Sequence, residues 1–376
     1  MTKVQKNSGL LRRIVSLFLV FSSLSLLIYG ENVSPIPLTQ LDRPIVRDEV
    51  VVPHVEPFIT VKCDFHMHTV FSDGYVWPDL RVIEAWVTGL DAIAITDHIE
   101  GPVNRPFLTG DDNSSYELAK PVADYYGMIL IRGGEITKKE PYGHYNALFL
   151  KDVNLVDNED PFTAIENAVK QGAFIQWNHP DWNSSTRNQF EFQKKLLEKG
   201  YLHGVEITNR SDWYPYVVDW ALENNLTMMG NSDLHGLVVG EFQLDKYKRP
   251  MTLVFASEKS EQGIREALDN KRTVVWIADL INGREEWVSK LFLSCVQFGK
   301  IKVTNPEKKE GQVRIENVSD IPWSLKFLGP IVTGSYRLEP CSSMVVKTKG
   351  QGGVKISVTN AWIKTGINLQ IETNLE

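Results

Sequence analysis

Residues 59–74 read ITVKCDFHMHTVFSDG, an apolar run that leads into two histidines and then a turn. The run is rich in β-branched and aromatic residues, which favour a strand. Residues two apart in a strand share one face, so Asp64, His66 and His68 are expected to point the same way. Asp73 follows in a Ser-Asp-Gly turn and brings a carboxylate within reach. The stretch therefore predicts a strand whose carboxyl end presents polar side chains on one face.

From residue 59 onward, strand-like and helix-like segments alternate. Strand character is found at 59–66, 91–96, 128–134, 144–150, 173–177, 202–208, 227–231 and 251–256. Helical character is found at 78–89, 116–126, 161–171, 188–199, 214–225 and 260–270. In the third of these helices, Phe162, Ile165 and Val169 recur at helical spacing. Alternation of this kind predicts a parallel sheet, with enough strands to close into a barrel.

The character of the chain changes after about residue 290. Short β-prone runs at 313–316, 324–328, 343–348 and 354–358 are separated by turn residues, and residues 290–376 contain no histidine. Such spacing is typical of a small β-sandwich. The predicted organisation is a signal peptide at 1–30, an extended lead-in at 31–57, a barrel at 58–285 and a C-terminal β domain at 290–376.

The N-terminus has the pattern of a secretory signal peptide. Four basic residues precede an apolar run at 14–29, which ends in small residues near Gly30. The run of 16 residues is shorter than the ~20 that a spanning helix needs, although an uncleaved membrane anchor is the alternative. The first cysteine is Cys63, which argues against a lipid anchor. The sequence therefore predicts export to the periplasm or the exterior, without stable membrane insertion after cleavage.

The charge balance excludes one class of partner. The whole chain carries a formal net charge of −7, and removal of residues 1–30 leaves 36 Lys and Arg against 47 Asp and Glu. A protein this acidic has no overall field that attracts a nucleic-acid backbone. An anionic substrate would have to be attracted locally, by metal ions or by a few cationic side chains.

The chain has three cysteines, an odd number for an exported protein. Cys63 lies in an apolar strand pattern and is expected to be a small buried side chain. Cys295 and Cys341 either form a disulfide or remain free thiols. No Cys-x-x-Cys pair occurs, which argues against a thiolate zinc site.

Histidines and carboxylates collect where the predicted strands end. Six of the eight histidines occupy such positions, and only His54 and His203 do not. In a strand–helix barrel these ends meet on one face, where active sites are built. Singly, each residue is better explained as a hydrogen-bonded histidine or a capping aspartate, but together they predict a metal cluster. The residues are His66, His68, Asp73, Asp97, His98, Glu135, His144, His179, Asp233 and His235.

The runs HMHTVFSDG, AITDH, GGEIT, GHYNALF, NHP and NSDLHG resemble the PHP (polymerase and histidinol phosphatase) superfamily in both content and order. The resemblance covers roughly residues 59–282. Within the superfamily, the chain is most similar to secreted phosphodiesterase-like members with a signal peptide and a C-terminal β domain. The resemblance implies an α/β fold, a distorted (β/α)7-type barrel followed by a small all-β sandwich-like domain.

The resemblance also implies a set of metal ligands. His66, His68, Glu135 and Asp233 would bind one ion. A second ion would share Glu135 and add His144 and His179. Asp73, His98 and His235 would bind a third, and Asp97 would orient a ligand imidazole. Imidazole and carboxylate ligands without thiolates suit two to three ions of Mn²⁺, Zn²⁺ or Fe²⁺.

The mechanism that follows is hydrolysis of a phosphate ester by a hydroxide that bridges two of these ions. Asp233 or His235 would protonate the leaving group. Arg210 is the preferred candidate for a cation that binds the phosphate oxygens, because its planar fork matches phosphate, and Arg105 and Arg187 are alternatives. An exposed, solvated arginine is the competing interpretation of each.

Aromatic residues near the strand ends bear on the substrate. They either pack over the barrel mouth or line a pocket for an organic group, and the second interpretation favours a small-molecule phosphodiester. Phosphomonoester hydrolysis, amide or ester hydrolysis by the same hydroxide, and a non-enzymatic metal-stabilised scaffold are the alternatives. No nucleic-acid polymer is expected as a partner, and the sequence does not predict an oligomeric state. The aromatic residues are Trp177, Trp182, Trp213, Tyr214 and Tyr216.

Overall fold

The computed structural model describes residues 45–100, 106–139, 141–180, 190–329 and 331–375. Of the unit Met1–Val46, only residues 45 and 46 are described, and the unit Arg47–Glu376 contains everything that follows. The predicted signal peptide, Arg105, Arg187 and Trp182 lie outside the described residues. Within the described ranges, no helix has both the length and the apolar character that crossing a bilayer requires.

The elements alternate between strand and helix as far as residue 295 and are strands thereafter. The strands are β1 (Ile59–Asp64), β2 (Ala92–Ile95), β3 (Ile129–Lys138), β4 (Gly143–Leu148), β5 (Phe174–Trp177), β6 (Gly204–Asn209), β7 (Asp212–Trp213), β8 (Thr227–Asn231), β9 (Met251–Ala256), β10 (Thr273–Ile277), β11 (Leu280–Gly283), β12 (Val296–Phe298), β13 (Lys302–Asn305), β14 (Glu310–Asn317), β15 (Trp323–Leu328), β16 (Gly334–Leu338), β17 (Ser343–Lys349), β18 (Gly352–Lys364) and β19 (Ile367–Leu375). The helices are α1 (Pro78–Val87), α2 (Ser114–Tyr126), α3 (Pro161–Lys170), α4 (Glu191–Glu198), α5 (Pro215–Glu223), α6 (Val238–Glu241), α7 (Glu261–Asp269) and α8 (Glu285–Cys295).

The barrel sheet is mixed, not parallel throughout as the alternation suggested. β1 pairs with β2, β2 with β3, β5 with β6 and β6 with β8 in parallel. β4 is antiparallel to both β3 and β5, and β9 is antiparallel to β1. β4 reverses direction because it follows β3 after a short turn, with no crossover helix between them. This reversal is one source of the distortion that the barrel was expected to show.

Close contact between β8 and the strands β9 and β10 depends on Gly230. Its backbone N–H donates to Thr252 Oγ1 at 2.9 Å, and its carbonyl accepts from the same hydroxyl at 2.8 Å. A Cβ atom at this position would lie 2.2 Å from Val275 Cγ1 and 2.4 Å from Thr208 Oγ1, so a larger residue would have to displace both side chains. β8 is therefore held to β9 by its hydrogen bonds with the Thr252 side chain, while its backbone ladder is with β6.

The C-terminal strands are antiparallel and divide between two sheets. β15, β16, β18 and β19 extend the barrel sheet through β11, which pairs in parallel with β18 at Ile281 and Ala361. β12, β13, β14 and β17 form a separate four-stranded sheet. The predicted class, a distorted α/β barrel followed by a small all-β region, is thus confirmed. The boundary between 285 and 290 stays a prediction.

One hydrophobic cluster runs through both regions. It contains Met251 and Leu253 of the barrel, Trp287 and Phe292 of α8, and Trp323 of β15, all buried. α8 therefore packs against the barrel and the C-terminal strands at once. The sequence-based interpretation did not include this helix.

The possible disulfide between Cys295 and Cys341 is not formed. Cys295 is buried and Cys341 is exposed, and both are free thiols, as is the buried Cys63. The thiol of Cys341 lies 3.4 Å from Asp320 Oδ1. Burial raises the pKa of Cys63 well above its ordinary value, consistent with the predicted role as a small core side chain.

Candidate metal centre

The predicted ligands, which are separated by up to 169 positions in the sequence, converge at one end of the barrel. Eight of the nine line a pocket of about 900 Å³, and His66 lies fully buried beneath it. Three groups within this set bring their ligand atoms within 4.8 Å of one another. The groups are His68 with Asp73, His98 and His235; His66 with Glu135 and His179; and His66 with His68 and Asp233.

The loops that carry these side chains are tied together by backbone contacts. His68 N donates to Leu234 O and Asp233 N donates to His66 O, each at 2.8 Å, so the segments after β1 and β8 run side by side. A parallel bridge between His98 and Glu135 joins the segment after β2 to β3. The parallel strands thus deliver their polar termini to one place, as expected of such barrels.

Three residues of the site have an uncommon backbone conformation. His179, Arg210 and Asp233 have positive φ values of 25°, 54° and 48°. Residues other than glycine rarely adopt this region, although Asp and His tolerate it better than most. Strained conformations of this kind cluster at functional sites, where surrounding contacts hold them in place.

The buried centre consists of donor atoms packed at short range. Asp233 Oδ1 lies 3.2 Å from His66 Nε2 and 3.1 Å from His68 Nε2, and those two nitrogens are 3.2 Å apart. Glu135 Oε1 lies 3.5 Å from both His66 Nε2 and His179 Nε2. Atoms that share one ion at about 2.1 Å lie roughly 3.0–3.4 Å from each other. The spacing around Asp233 matches that of a coordination shell.

The outer group is organised around Asp73. Its Oδ1 lies 3.2 Å from His235 Nε2 and 3.7 Å from His68 Nδ1, and its Oδ2 lies 3.4 Å from His98 Nε2. His235 Nδ1 donates to the Asp233 carbonyl at 3.0 Å, so Nε2, which faces Asp73, is the nitrogen available to an ion. This group is more exposed than the inner two, with the Asp73 side chain 34% accessible.

The buried carboxylates of the site raise the pKa of neighbouring histidines. Burial lowers the pKa of the His66 imidazole, but the charges of Asp233, Glu206 and Glu135 outweigh burial and raise that pKa well above its ordinary value. Burial likewise opposes the protonation of His98, yet Glu135 and Asp73 raise its pKa to about 10. These carboxylates therefore stabilise positive charge at the floor of the pocket.

The residues fit a metal centre by a further criterion. Asp233 Oδ1 is buried and has no hydrogen-bond donor with acceptable geometry, although two imidazole nitrogens are close. Glu135 Oε2 is in the same position: His98 Nδ1 is only 2.7 Å away, but that nitrogen's hydrogen bond goes to Thr137 Oγ1. Buried oxygens without donors are costly unless a cation satisfies them.

A solved structure from Bacteroides vulgatus ATCC 8482 decides the family. It is a two-domain protein containing a predicted PHP-like metal-dependent phosphoesterase, 37% identical to this chain with a TM-score of 0.83, and the match covers 88% of this chain and 99% of that one. The chain belongs to the PHP superfamily. An uncharacterized protein of Methanocaldococcus jannaschii is 30% identical over an alignment of 186 residues, and the match covers 46% of this chain and 82% of that protein. No protein-family model matches the sequence.

The groupings in this PHP barrel differ in detail from the predicted ligand sets. His66 belongs to both inner groups, and His68 belongs to the outer group as well as an inner one. His144 belongs to none of the three groups found among the described residues, but its Nδ1 lies 3.3 Å from Glu135 Oε1. The assignment of nine ligands to individual ions stays a prediction.

Two buried residues of the PHP barrel were not expected from the sequence. Glu206 in β6 contacts His66 Nδ1 at 2.9 Å, and Asn178 donates to Glu135 Oε1 at 2.8 Å. A signal for the first was present, because Glu206 interrupts the otherwise uncharged strand Gly204–Asn209. Asp97 has a different role from the one expected: it accepts hydrogen bonds from Thr69 and Ser72, not from an imidazole.

Arg210 lies at the pocket wall, where a cation that binds the phosphate oxygens would have to be. Its guanidinium donates to the Asp233 carbonyl at 3.0 Å and pairs with Glu241 at 2.7 Å, and its side chain remains 42% accessible. The same Glu241 accepts from the His235 backbone N–H at 3.2 Å. Arg210 thus faces the pocket while bracing the loop that carries Asp233 and His235.

The aromatic residues divide between the two interpretations. Trp177 and Tyr214 line the pocket. Trp213 packs instead against Trp362 of β18 with ring centroids 5.2 Å apart, and Tyr216 stacks with Phe190 at 6.5 Å. The pocket is therefore partly aromatic, and part of its wall rests on the C-terminal region.

The two histidines outside the cluster have structural partners. His54 Nδ1 accepts from Thr60 N at 3.1 Å, and His203 Nδ1 accepts from Ile175 N at 2.9 Å. Burial, reinforced by the charge of Arg265, lowers the pKa of His203 to about 4. Both are therefore hydrogen-bonded histidines of the ordinary kind.

Proposed function

We propose that this protein is an exported metal-dependent phosphoesterase that acts on small organic phosphodiesters with two to three ions of Mn²⁺, Zn²⁺ or Fe²⁺. The observation that carries the proposal is the packing of five imidazoles and three carboxylates into overlapping donor groups at the floor of one pocket. The two-domain Bacteroides vulgatus protein supports it, because its PHP-like part is a predicted metal-dependent phosphoesterase. Fractionation of cells with N-terminal sequencing of the mature chain tests the export.

The chemistry divides between the ions and the protein. Bound divalent ions would supply an ionised water near neutral pH and charge neutralisation at the phosphoryl oxygens. His66, His68 and Asp233 would hold the inner part of the centre, and Asp73, His98 and His235 the outer part. Asp233 and His235 are both metal ligands in this scheme. Either residue would therefore have to leave its ion before it could protonate the leaving group.

The pocket favours a substrate larger than inorganic phosphate. Its volume of about 900 Å³ is within the range of pockets for organic ligands. Trp177 and Tyr214 offer aromatic surface, while Lys139 and Arg210 offer positive charge on the lining. A phosphodiester with an organic group fits this combination. Phosphomonoesters and carboxylic esters or amides remain the alternatives for the assay.

The test combines metal analysis with parallel assays. We expect two to three metal ions per purified chain, hydrolysis of aryl phosphate diesters faster than aryl phosphate monoesters or aryl acetates, and loss of activity on chelation. Activity should return when Mn²⁺, Zn²⁺ or Fe²⁺ is restored. The scaffold alternative would instead be supported if the metal-loaded protein hydrolysed none of the three substrates and the isolated C-terminal β domain bound glycan.

Arg210→Ala tests the substrate-binding cation. We expect KM for the diester to rise about tenfold or more, since a charge-assisted hydrogen bond contributes roughly 1.5–3 kcal/mol, with metal content unchanged. Steady-state kinetics and metal analysis are the measurements. Arg337→Ala is the matched control, because Arg337 is equally accessible at 42% and is also paired with a carboxylate, Asp279. Normal kinetics in Arg210→Ala would remove this role.

A further inference from the structure

Glu206 is a fully buried carboxylate surrounded by hydrogen-bond donors. Its Oε1 is contacted by His66 Nδ1 at 2.9 Å, Asn231 Nδ2 at 2.9 Å and Gln176 Nε2 at 3.2 Å. Its Oε2 accepts from His179 N at 2.7 Å and Asn209 Nδ2 at 2.9 Å. None of these contacts is part of a backbone ladder, because each involves the side chain of Glu206. They join β5, β6, β8 and the segment after β1 at the base of the metal centre.

The neighbouring amides fix the direction of these bonds. Asn231 Oδ1 accepts from the Phe65 backbone N–H at 2.9 Å, so the amide nitrogen of Asn231 must face Glu206. Gln176 Nε2 also donates to Asn178 Oδ1 at 2.8 Å. The amide nitrogen of Gln176, and not its oxygen, therefore faces Glu206 as well. Glu206 Oε1 is therefore an acceptor toward every neighbour, and the proton of its contact with His66 must reside on Nδ1.

A proton on Nδ1 leaves Nε2 as the ligand atom of His66. That nitrogen lies 3.2 Å from Asp233 Oδ1 and 3.5 Å from Glu135 Oε1, within both inner donor groups. The contact of Oε2 with His179 N also holds the backbone of a second proposed ligand, whose φ is 25°. One carboxylate thus acts on both histidines of the donor group that contains Glu135.

We propose that Glu206 is a positioning residue that fixes the Nδ1–H tautomer of His66 and the backbone of His179, so that both present Nε2 to the ions. This inference rests on the proposed function, since it assigns Glu206 a task in the same centre. A carboxylate that receives the distal N–H of a ligand imidazole sets its orientation and its basicity. Glu206 itself stays outside the coordination groups.

Glu206→Gln is the variant of choice, because glutamine has the size of glutamate but replaces one carboxylate oxygen by an amide NH2. That group would face either the donors now bound to Oε1 or those now bound to Oε2, and it cannot accept hydrogen bonds from them. We expect the affinity for Zn²⁺, measured by competition with a chromophoric chelator, to fall about 10- to 100-fold. Asp91→Asn is the matched control. Asp91 is also a buried carboxylate with several donors, among them Lys62 and Arg47, but it precedes β2 and lies at the opposite end of that strand from His98. Asp91→Asn should therefore leave the affinity for Zn²⁺ unchanged.

A second measurement uses the unaltered protein. In the Zn²⁺-loaded chain labelled with ¹⁵N-histidine, we expect His66 to show a protonated Nδ1 and a metal-bound Nε2, with assignment from the signal lost in His66→Gln. Unchanged Zn²⁺ affinity in Glu206→Gln, or a protonated Nε2 at His66, would overturn the inference. If Glu206→Gln does not fold, the ¹⁵N-histidine spectrum of the unaltered protein tests the inference by itself. Failure of the unaltered protein to bind any metal would instead overturn the proposed function.

Discussion

Glu135→Ala is expected to lower phosphodiester hydrolysis by at least about 1,000-fold and to reduce the bound metal by one ion or more. Glu135 is fully buried, and its two oxygens lie within 4 Å of five imidazoles. It is the only carboxylate among the described residues of the centre with so many imidazole neighbours. A displaced ion would remove several kcal/mol of transition-state stabilisation, and ~4 kcal/mol corresponds to a factor of 1,000.

The measurements are metal content by elemental analysis and turnover of an aryl phosphate diester, with circular dichroism to establish folding. Glu166→Ala provides the control, because Glu166 is a partly exposed glutamate on α3 that pairs with Lys170 and does not line the pocket. Full metal content together with normal turnover in Glu135→Ala would show that the convergence of imidazoles on this carboxylate has no catalytic purpose.

Trp323→Ala is expected to destabilise the barrel as well as the C-terminal region, by about 3–5 kcal/mol. Trp323 is fully buried, and its ring meets Phe292 of α8 edge-on with centroids 5.2 Å apart. Because α8 belongs to the cluster that also contains barrel residues, the two regions should unfold in one transition. Urea unfolding followed by the helical circular dichroism signal reports the barrel, since the helices all lie before residue 296 in the described chain.

Trp77→Ala is the matched substitution, since Trp77 is 47% exposed and should change stability by less than about 1 kcal/mol. If the helical signal of Trp323→Ala keeps the midpoint of the unaltered protein, residues 290–376 fold as the independent domain that the sequence suggested. Two well-separated transitions in the unaltered protein would lead to the same conclusion.

Much of the fold was accessible from the sequence because it depends on local periodicity. The strands Thr227–Asn231 and Met251–Ala256 have the predicted bounds, and α3 begins at the predicted Pro161. Strand direction was not accessible, since a period of two is the same in either direction and β4 is antiparallel. α8 was missed although Trp287, Leu291 and Cys295 recur at helical spacing, because the expected domain boundary was placed inside it.

The site was predicted through residue type and position, and its supporting contacts were not. His66, Glu135, His179 and Asp233 stand out because they follow apolar strands, and all lie in the inner groups. Glu206 sits within a strand, where the sequence does not reveal which neighbours surround it. Its five donors come from four separate segments, so only the three-dimensional arrangement identifies it.

Three side chains of the pocket sit on left-handed backbone: His179, Arg210 and Asp233. An L-residue in that conformation costs about 1–2 kcal/mol, whereas glycine adopts it freely and asparagine with little difficulty. Folding alone would thus favour glycine or asparagine at all three places. In a lineage that no longer needed the reaction, these are the positions where such replacements should accumulate first, leaving a more robust barrel without its chemistry.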